Sequence, residues 1–80
     1  MIEPAEIESR IGQVLPGATV SVRDLTGTRD HYAIDVIAEQ FTGLSSLVRH
    51  RAVHAALKDV LGGALHAVQI RALAPGEEKT

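Results

Sequence analysis

Residues 31–73, HYAIDVIAEQFTGLSSLVRHRAVHAALKDVLGGALHAVQIRAL, decide the fold. Apolar and polar residues alternate over His31–Ala38 and again over Ala67–Leu73, a pattern that predicts two β-strands. The segment between them has the apolar spacing of a helix. Two strands joined through a helix lie parallel in one sheet, and the crossover between them is right-handed.

The helix inside this stretch is predicted to begin at Ser45 or Ser46, because either hydroxyl can accept a hydrogen bond from the first helical turn. We expect it to run to about Leu61, since four apolar residues share one arc of the helical wheel. They are Val53, Leu57, Val60 and Leu61. The glycines that follow, Gly62-Gly63, are typical of a helix end.

Two more elements precede this stretch. Apolar residues at helical spacing predict a helix over about Pro4–Leu15. Thr19–Leu25 is predicted as a strand, antiparallel to the one that begins at His31. The order helix, strand, strand, helix, strand predicts an α+β fold, with a three-stranded mixed sheet, strand two central and the helices on one face. We expect one domain over residues 1–73 and a flexible tail over 74–80.

Composition excludes several classes of protein. The chain has 80 residues, a net charge of −2 and no cysteine, so a disulfide framework, a cysteine nucleophile and a cysteine-only metal site are all excluded. No apolar run reaches the roughly 18 residues that a membrane helix needs. The N-terminus lacks the pattern of a signal peptide, and we therefore expect a cytoplasmic protein without a membrane partner.

Three blocks of the sequence carry a family resemblance. Phe41–Ser45 fits F-x-G-x-S, Arg49–Leu57 fits R-H-R-x-V-x-x-A-L, and His66–Ile70 fits H-A-x-x-I. In this order and at this spacing, the blocks make the chain similar to the BolA family over roughly residues 5–73. The resemblance implies a class II KH-like fold of order αββααβ. It also implies an accessory factor without catalysis of its own, involved in iron–sulfur cluster assembly and iron homeostasis.

The resemblance further implies a partner and a cofactor. BolA-like proteins pair with monothiol glutaredoxins, and the pair can share a two-iron, two-sulfur cluster. The glutaredoxin side brings a cysteine and a glutathione thiol. The BolA side brings the histidine before the last strand, here His66, and a second His or Cys in or near the loop between the first two strands. Because the loop Leu25–Asp30 contains neither residue type, the second metal ligand is expected to be His31, at the end of that loop.

We expect the chain to hold this cluster only in complex with glutaredoxin and glutathione, and to be a monomer or homodimer when alone. An adaptor that binds glutaredoxin without sharing metal remains an alternative. Another is a DNA-binding regulator of the BolA type, in which Arg49 and Arg51 contact phosphates. Acidic net charge, the lack of a G-x-x-G loop and only two aromatic residues favour at most weak DNA binding.

The helix carries a second pair of histidines, His50 and His54, at the i, i+4 spacing that places two imidazoles on one face. Position 51 is arginine, so the zinc-protease motif H-E-x-x-H is not present. We expect these histidines to be partly buried and to form local hydrogen bonds. The sequence shows no arrangement of serine, histidine and carboxylate residues typical of an enzyme.

Overall fold

The structure is a computed structural model that describes residues 2–77. Its elements follow the predicted order, with a short 3₁₀ helix added before the second α-helix. They are α1 (Pro4–Val14), β1 (Thr19–Asp24), β2 (His31–Ile37), the 3₁₀ helix (Glu39–Phe41), α2 (Ser46–Leu57) and β3 (Ala67–Leu73). No helix among these residues is long and apolar enough to cross a membrane.

The sheet has the predicted topology. Its strand order is β1-β2-β3, with β1 antiparallel to β2 and β3 parallel to β2. In the register of the sheet, Ile34 lies between Val22 on β1 and Ile70 on β3. The predicted α+β class, the mixed sheet and the central second strand are therefore confirmed.

The core lies between the sheet and the two helices. Tyr32, Ile34 and Val36 project from one face of β2 and are fully buried, as their alternation predicts. On the opposite face, Ala33 is only 5% exposed. Its partners in register are Arg23 and Gln69, whose long side chains flank the small methyl group on the face of the sheet opposite the described helices.

The N-terminal segment is attached to the sheet by a tyrosine. The hydroxyl of Tyr32 donates a hydrogen bond of 2.6 Å to the carbonyl of Ile2 inside the core. Burial, the largest cause, raises the pKa of this hydroxyl above its ordinary value. Helix α1 begins directly afterwards with Pro4 in its first turn, and it buries Ile7 and Ile11 completely.

Helix α2 begins as predicted and ends earlier than predicted. Ser45 is its N-cap, since its hydroxyl oxygen accepts a hydrogen bond from the Val48 amide. The helix ends at Leu57 rather than at Leu61. The chain instead forms a tight loop, in which Gly62, at φ +87°, donates to the Leu65 carbonyl while the Leu65 amide donates to Val60. These bonds replace further helical turns and direct the chain back toward β3.

The packed part of the chain extends past the predicted domain end at residue 73. Ala74 is buried, and the Glu77 amide donates to its carbonyl across Pro75 and a Gly76 at φ +93°. Proline followed by a positive-φ glycine is the signature of a type II turn. The turn brings the Glu77 carboxylate within 2.6 Å of Arg49. The rest of the predicted flexible tail, residues 78–80, lies outside the described residues.

Candidate functional site

The structure brings the two predicted metal ligands together. His31 is the first residue of β2, and His66 directly precedes β3. Because these strands are parallel, with His31 in register with Ala67, both histidines lie at the same edge of the sheet. Their ring centroids are 5.7 Å apart with an interplanar angle of 68°, an edge-on contact.

One residue holds the backbone of this edge in place. The carbonyl of Asp30 accepts hydrogen bonds from the amides of both His66, at 2.8 Å, and Ala67, at 3.1 Å. These bonds fix the start of β3 against the start of β2, and so they set the position from which the His66 side chain projects.

The side chain of Asp30 interacts with His31. Its Oδ1 lies 2.9 Å from Nδ1 of the imidazole and also accepts a hydrogen bond from the Thr28 hydroxyl. The Thr28 bond, the larger cause, and the His31 bond lower the pKa of Asp30 to about 2. Asp30 is therefore a carboxylate at neutral pH, and it presents a negative charge beside the histidine pair.

The loop before Asp30 is ordered by another aspartate. Oδ1 of Asp24 accepts hydrogen bonds from the amides of Thr26 and Gly27. Oδ2 accepts a hydrogen bond from the amide of Arg29. Such an Asx turn lets Arg29 adopt a left-handed φ of 59°. Neither Asp24 nor Asp30 was predicted from the sequence to be functional, although an aspartate two residues before Thr-Gly is a recognisable turn signal.

Both imidazoles are accessible from solvent. The His31 side chain is 41% exposed, and His66 is exposed. Within residues 2–77, no group of three or more histidines, cysteines or carboxylates is placed to hold a metal ion. The site is therefore an open pair of nitrogen donors, which can contribute to a metal centre completed by ligands from another molecule.

The two arginines considered for phosphate binding have different environments. Arg49 is 9% exposed. Its guanidinium donates to the carbonyls of Leu44 and Ala72 and binds both carboxylate oxygens of Glu77. Arg51 is exposed. Arg49 therefore has an internal structural role, and only Arg51 of this pair is directed to solvent.

The second histidine pair is more exposed than predicted. His50 and His54 both lie on the solvent side of α2, because the buried positions of this helix are Arg49, Val53 and Leu57. The expectation that they are partly buried is therefore wrong. An open groove lined by Pro16, Thr19 and Gln40 lies at the opposite end of β2 from His31.

Similarity to known proteins extends over most of the chain. The family model for BolA-like proteins matches residues 15–77. The uncharacterized protein RP812 of Rickettsia prowazekii is 33% identical over 72 residues, which cover 90% of this chain and 94% of that protein. Human BolA-like protein 1 is 35% identical over 80 residues, or 91% of this chain. The alignment covers 58% of the human protein, so the chain spans less than two thirds of that relative.

Structural similarity is equally broad. A bolA protein homologue from Coxiella burnetii superposes with a TM-score of 0.82 at 26% identity, and the match covers 100% of both chains. A shorter similarity links the chain to the DNA-binding transcriptional regulator BolA of Vibrio cholerae. That protein is 39% identical over 44 residues, which cover 55% of this chain and 42% of the regulator.

Proposed function

The chain belongs to the BolA-like family, and from this premise we propose that it pairs with a monothiol glutaredoxin to share or traffic a two-iron, two-sulfur cluster. In this role it acts without catalysis of its own. The observation that supports the proposal best is the juxtaposition of His31 and His66, whose ring centroids are 5.7 Å apart at one exposed edge of the sheet. The two residues lie far apart in the sequence, and the parallel pairing of β2 with β3 brings them together.

The chemistry of the donor set fits such a shared cluster. In Rieske centres two imidazoles replace two thiolates on one iron and raise the reduction potential. His31 and His66 can supply that pair of nitrogens. The remaining thiolates come from the partner side, as a glutaredoxin cysteine and glutathione, since this chain has no cysteine. Accessibility of both rings lets a partner approach without unfolding either strand.

The proposal is tested by reconstitution. The purified chain is mixed with a monothiol glutaredoxin, glutathione, iron and sulfide, and the visible absorption and circular dichroism spectra are recorded. We expect a heterodimer whose spectrum differs from that of the glutaredoxin homodimer, because imidazole is a weaker donor to ferric iron than thiolate. His66→Ala should remove this difference, and His31→Ala should reduce or alter it.

The second histidine pair provides matched controls. His50→Ala and His54→Ala remove exposed imidazoles from α2, so they should leave the spectrum of the heterodimer unchanged. Binding to glutaredoxin is measured separately by size-exclusion chromatography. If the His66→Ala and wild-type spectra coincide while the heterodimer still forms, the adaptor role without metal is favoured. If no cluster-bearing heterodimer forms with wild-type protein, the trafficking role is wrong.

A DNA-binding regulator is the alternative function. The name of the Vibrio cholerae relative supports it, and so does the exposure of Arg51. The internal hydrogen bonds of Arg49 count against it, because they pair four of the five N–H donors of that guanidinium with protein groups.

A further inference from the structure

We propose that Asp30 is the positioning residue of the histidine pair: its side chain selects the tautomer of His31, and its backbone carbonyl places His66. The carboxylate keeps the ring hydrogen of His31 on Nδ1, which leaves the lone pair on Nε2 for a metal. The role of Nε2 as a metal donor rests on the proposed function, whereas the tautomer is a property of the chain alone and can be measured without metal.

The tautomer of His31 follows from which atom donates and which accepts in one hydrogen bond. Nδ1 of His31 and Oδ1 of Asp30 are 2.9 Å apart, and an ionised carboxylate accepts hydrogen bonds but cannot donate them. Nδ1 must therefore carry the hydrogen. A neutral histidine in water carries its hydrogen mainly on Nε2, so this contact reverses the ordinary preference of the side chain.

The loop holds the carboxylate in the required orientation. The hydroxyl of Thr28 donates to the same Oδ1, and Asp24 fixes the backbone of the loop through the amides of Thr26, Gly27 and Arg29. Asp30 is also the least exposed residue of the loop that precedes β2. A carboxylate that orients a ligating histidine through its other ring nitrogen is a recurrent device of metal sites, and its removal typically costs metal affinity.

The two roles of Asp30 use different atoms and can be separated. His66 is positioned through hydrogen bonds from its own amide and that of Ala67 to the Asp30 carbonyl. Every residue type at position 30 keeps that carbonyl. Asp30→Ala therefore removes the interaction with the His31 ring while it preserves the backbone bonds that place His66.

The first test uses the chain alone, labelled with ¹⁵N-histidine, in mildly alkaline buffer without metal. Long-range ¹H–¹⁵N spectra report which ring nitrogen carries the hydrogen. We expect mainly Nδ1–H for His31 in the wild-type protein and mainly Nε2–H in Asp30→Ala, whereas His66 should carry its hydrogen on the same nitrogen in both. Asp59→Ala, which removes an acidic side chain that is 75% exposed, should change neither ring. A wild-type His31 that is mainly Nε2–H, or one that Asp30→Ala does not alter, contradicts the proposal.

The second test concerns the heterodimer. If Asp30 positions the ligand, Asp30→Ala should still bind glutaredoxin but should lose its cluster to a chelator roughly 10-fold faster, at the lower end of the effects known for such outer-sphere residues. Loss at the wild-type rate would show that the tautomer has no consequence for metal binding. If the wild-type heterodimer forms no cluster at all, the proposed function fails, and the tautomer result from the first test still stands.

Discussion

At the scale of single residues, Arg49 connects parts of the chain that are far apart in sequence. Its guanidinium donates hydrogen bonds to the Leu44 carbonyl before α2, to the Ala72 carbonyl near the end of β3 and to the Glu77 carboxylate beyond the sheet. It also lies 5.9 Å from the centroid of the Phe41 ring, within cation–π range. One side chain of the R-H-R block thus ties α2 to the C-terminal turn.

The ion pair between Arg49 and Glu77 leads to a prediction on pH. Hydrogen bonds from Arg49, the larger cause, and from the Ala74 amide lower the pKa of Glu77 from 4.5 to about 2. A carboxyl whose pKa is lower in the folded state stabilises the fold above its unfolded pKa, and this contribution is lost as pH falls from about 4.5 to about 2. Glu77→Gln should therefore lower the free energy of unfolding at neutral pH, and the difference from wild type should shrink toward pH 2.

Urea titrations across this pH range provide the measurement. Glu8→Gln is the matched control, because Glu8 is exposed on α1 and should leave stability nearly unchanged at every pH. A Glu77→Gln variant as stable as wild type at neutral pH would show that the ion pair does not stabilise the fold.

His66 and Arg49 show which features of the site can be predicted from the sequence and which cannot. The closeness of His31 and His66 follows from parallel strand topology, which was itself predicted from the helix between the strands. The role of Arg49 depends on Glu77, 28 positions away, in a tail that periodicity does not describe. A signal was nevertheless present, because Arg49, Val53 and Leu57 follow the i, i+4, i+8 spacing of one buried stripe.

At the scale of elements, α2 shows where pattern and structure diverge. The predicted apolar arc contains Val53 and Leu57, which are fully buried, and also Val60 and Leu61, which pack against the core from beyond the helix. An apolar residue can reach the core from a loop as well as from a helix, so the wheel predicted burial correctly and helix length incorrectly. The bonds of the following loop, which involve Gly62 and Leu65, could not be predicted from periodicity.

Two leucines of α2 give a prediction on stability with an internal control. Leu57 is fully buried, whereas Leu47 is 59% exposed on the same helix. Leu57→Ala should lower the free energy of unfolding by about 2–5 kcal/mol, from lost burial and the cavity left behind. Leu47→Ala should change it by less than about 0.5 kcal/mol. Denaturant titration measures both, and similar values for the two variants would contradict the assignment of the core.

At the scale of the whole molecule, the distribution of charge limits what the surface can bind. Three cations of the described part of the chain are paired with carboxylates: Arg10, Arg29 and Arg49. The other four are exposed and divide between two surfaces. Arg23 and Arg71 lie on the open face of the sheet, while Arg51 and Lys58 lie on and just after α2. Since the helices cover the opposite face of the sheet, these two pairs point in different directions.

This division predicts how the protein binds duplex DNA. A duplex that contacts one surface neutralises about two phosphates, so the logarithm of the binding constant should fall with the logarithm of salt concentration with a slope of about −2. Binding should be weak and independent of sequence, with a dissociation constant no tighter than about 10⁻⁶ M at physiological salt. Fluorescence anisotropy with labelled duplexes over a series of salt concentrations measures both quantities.

If DNA binds along α2, Arg51→Ala should reduce the magnitude of the salt slope by about 1, while Arg23→Ala should leave the slope unchanged. A sequence-specific dissociation constant of about 10⁻⁸ M or tighter would contradict this prediction and favour the regulator over the glutaredoxin partner, because only dense base and phosphate contacts supply such affinity.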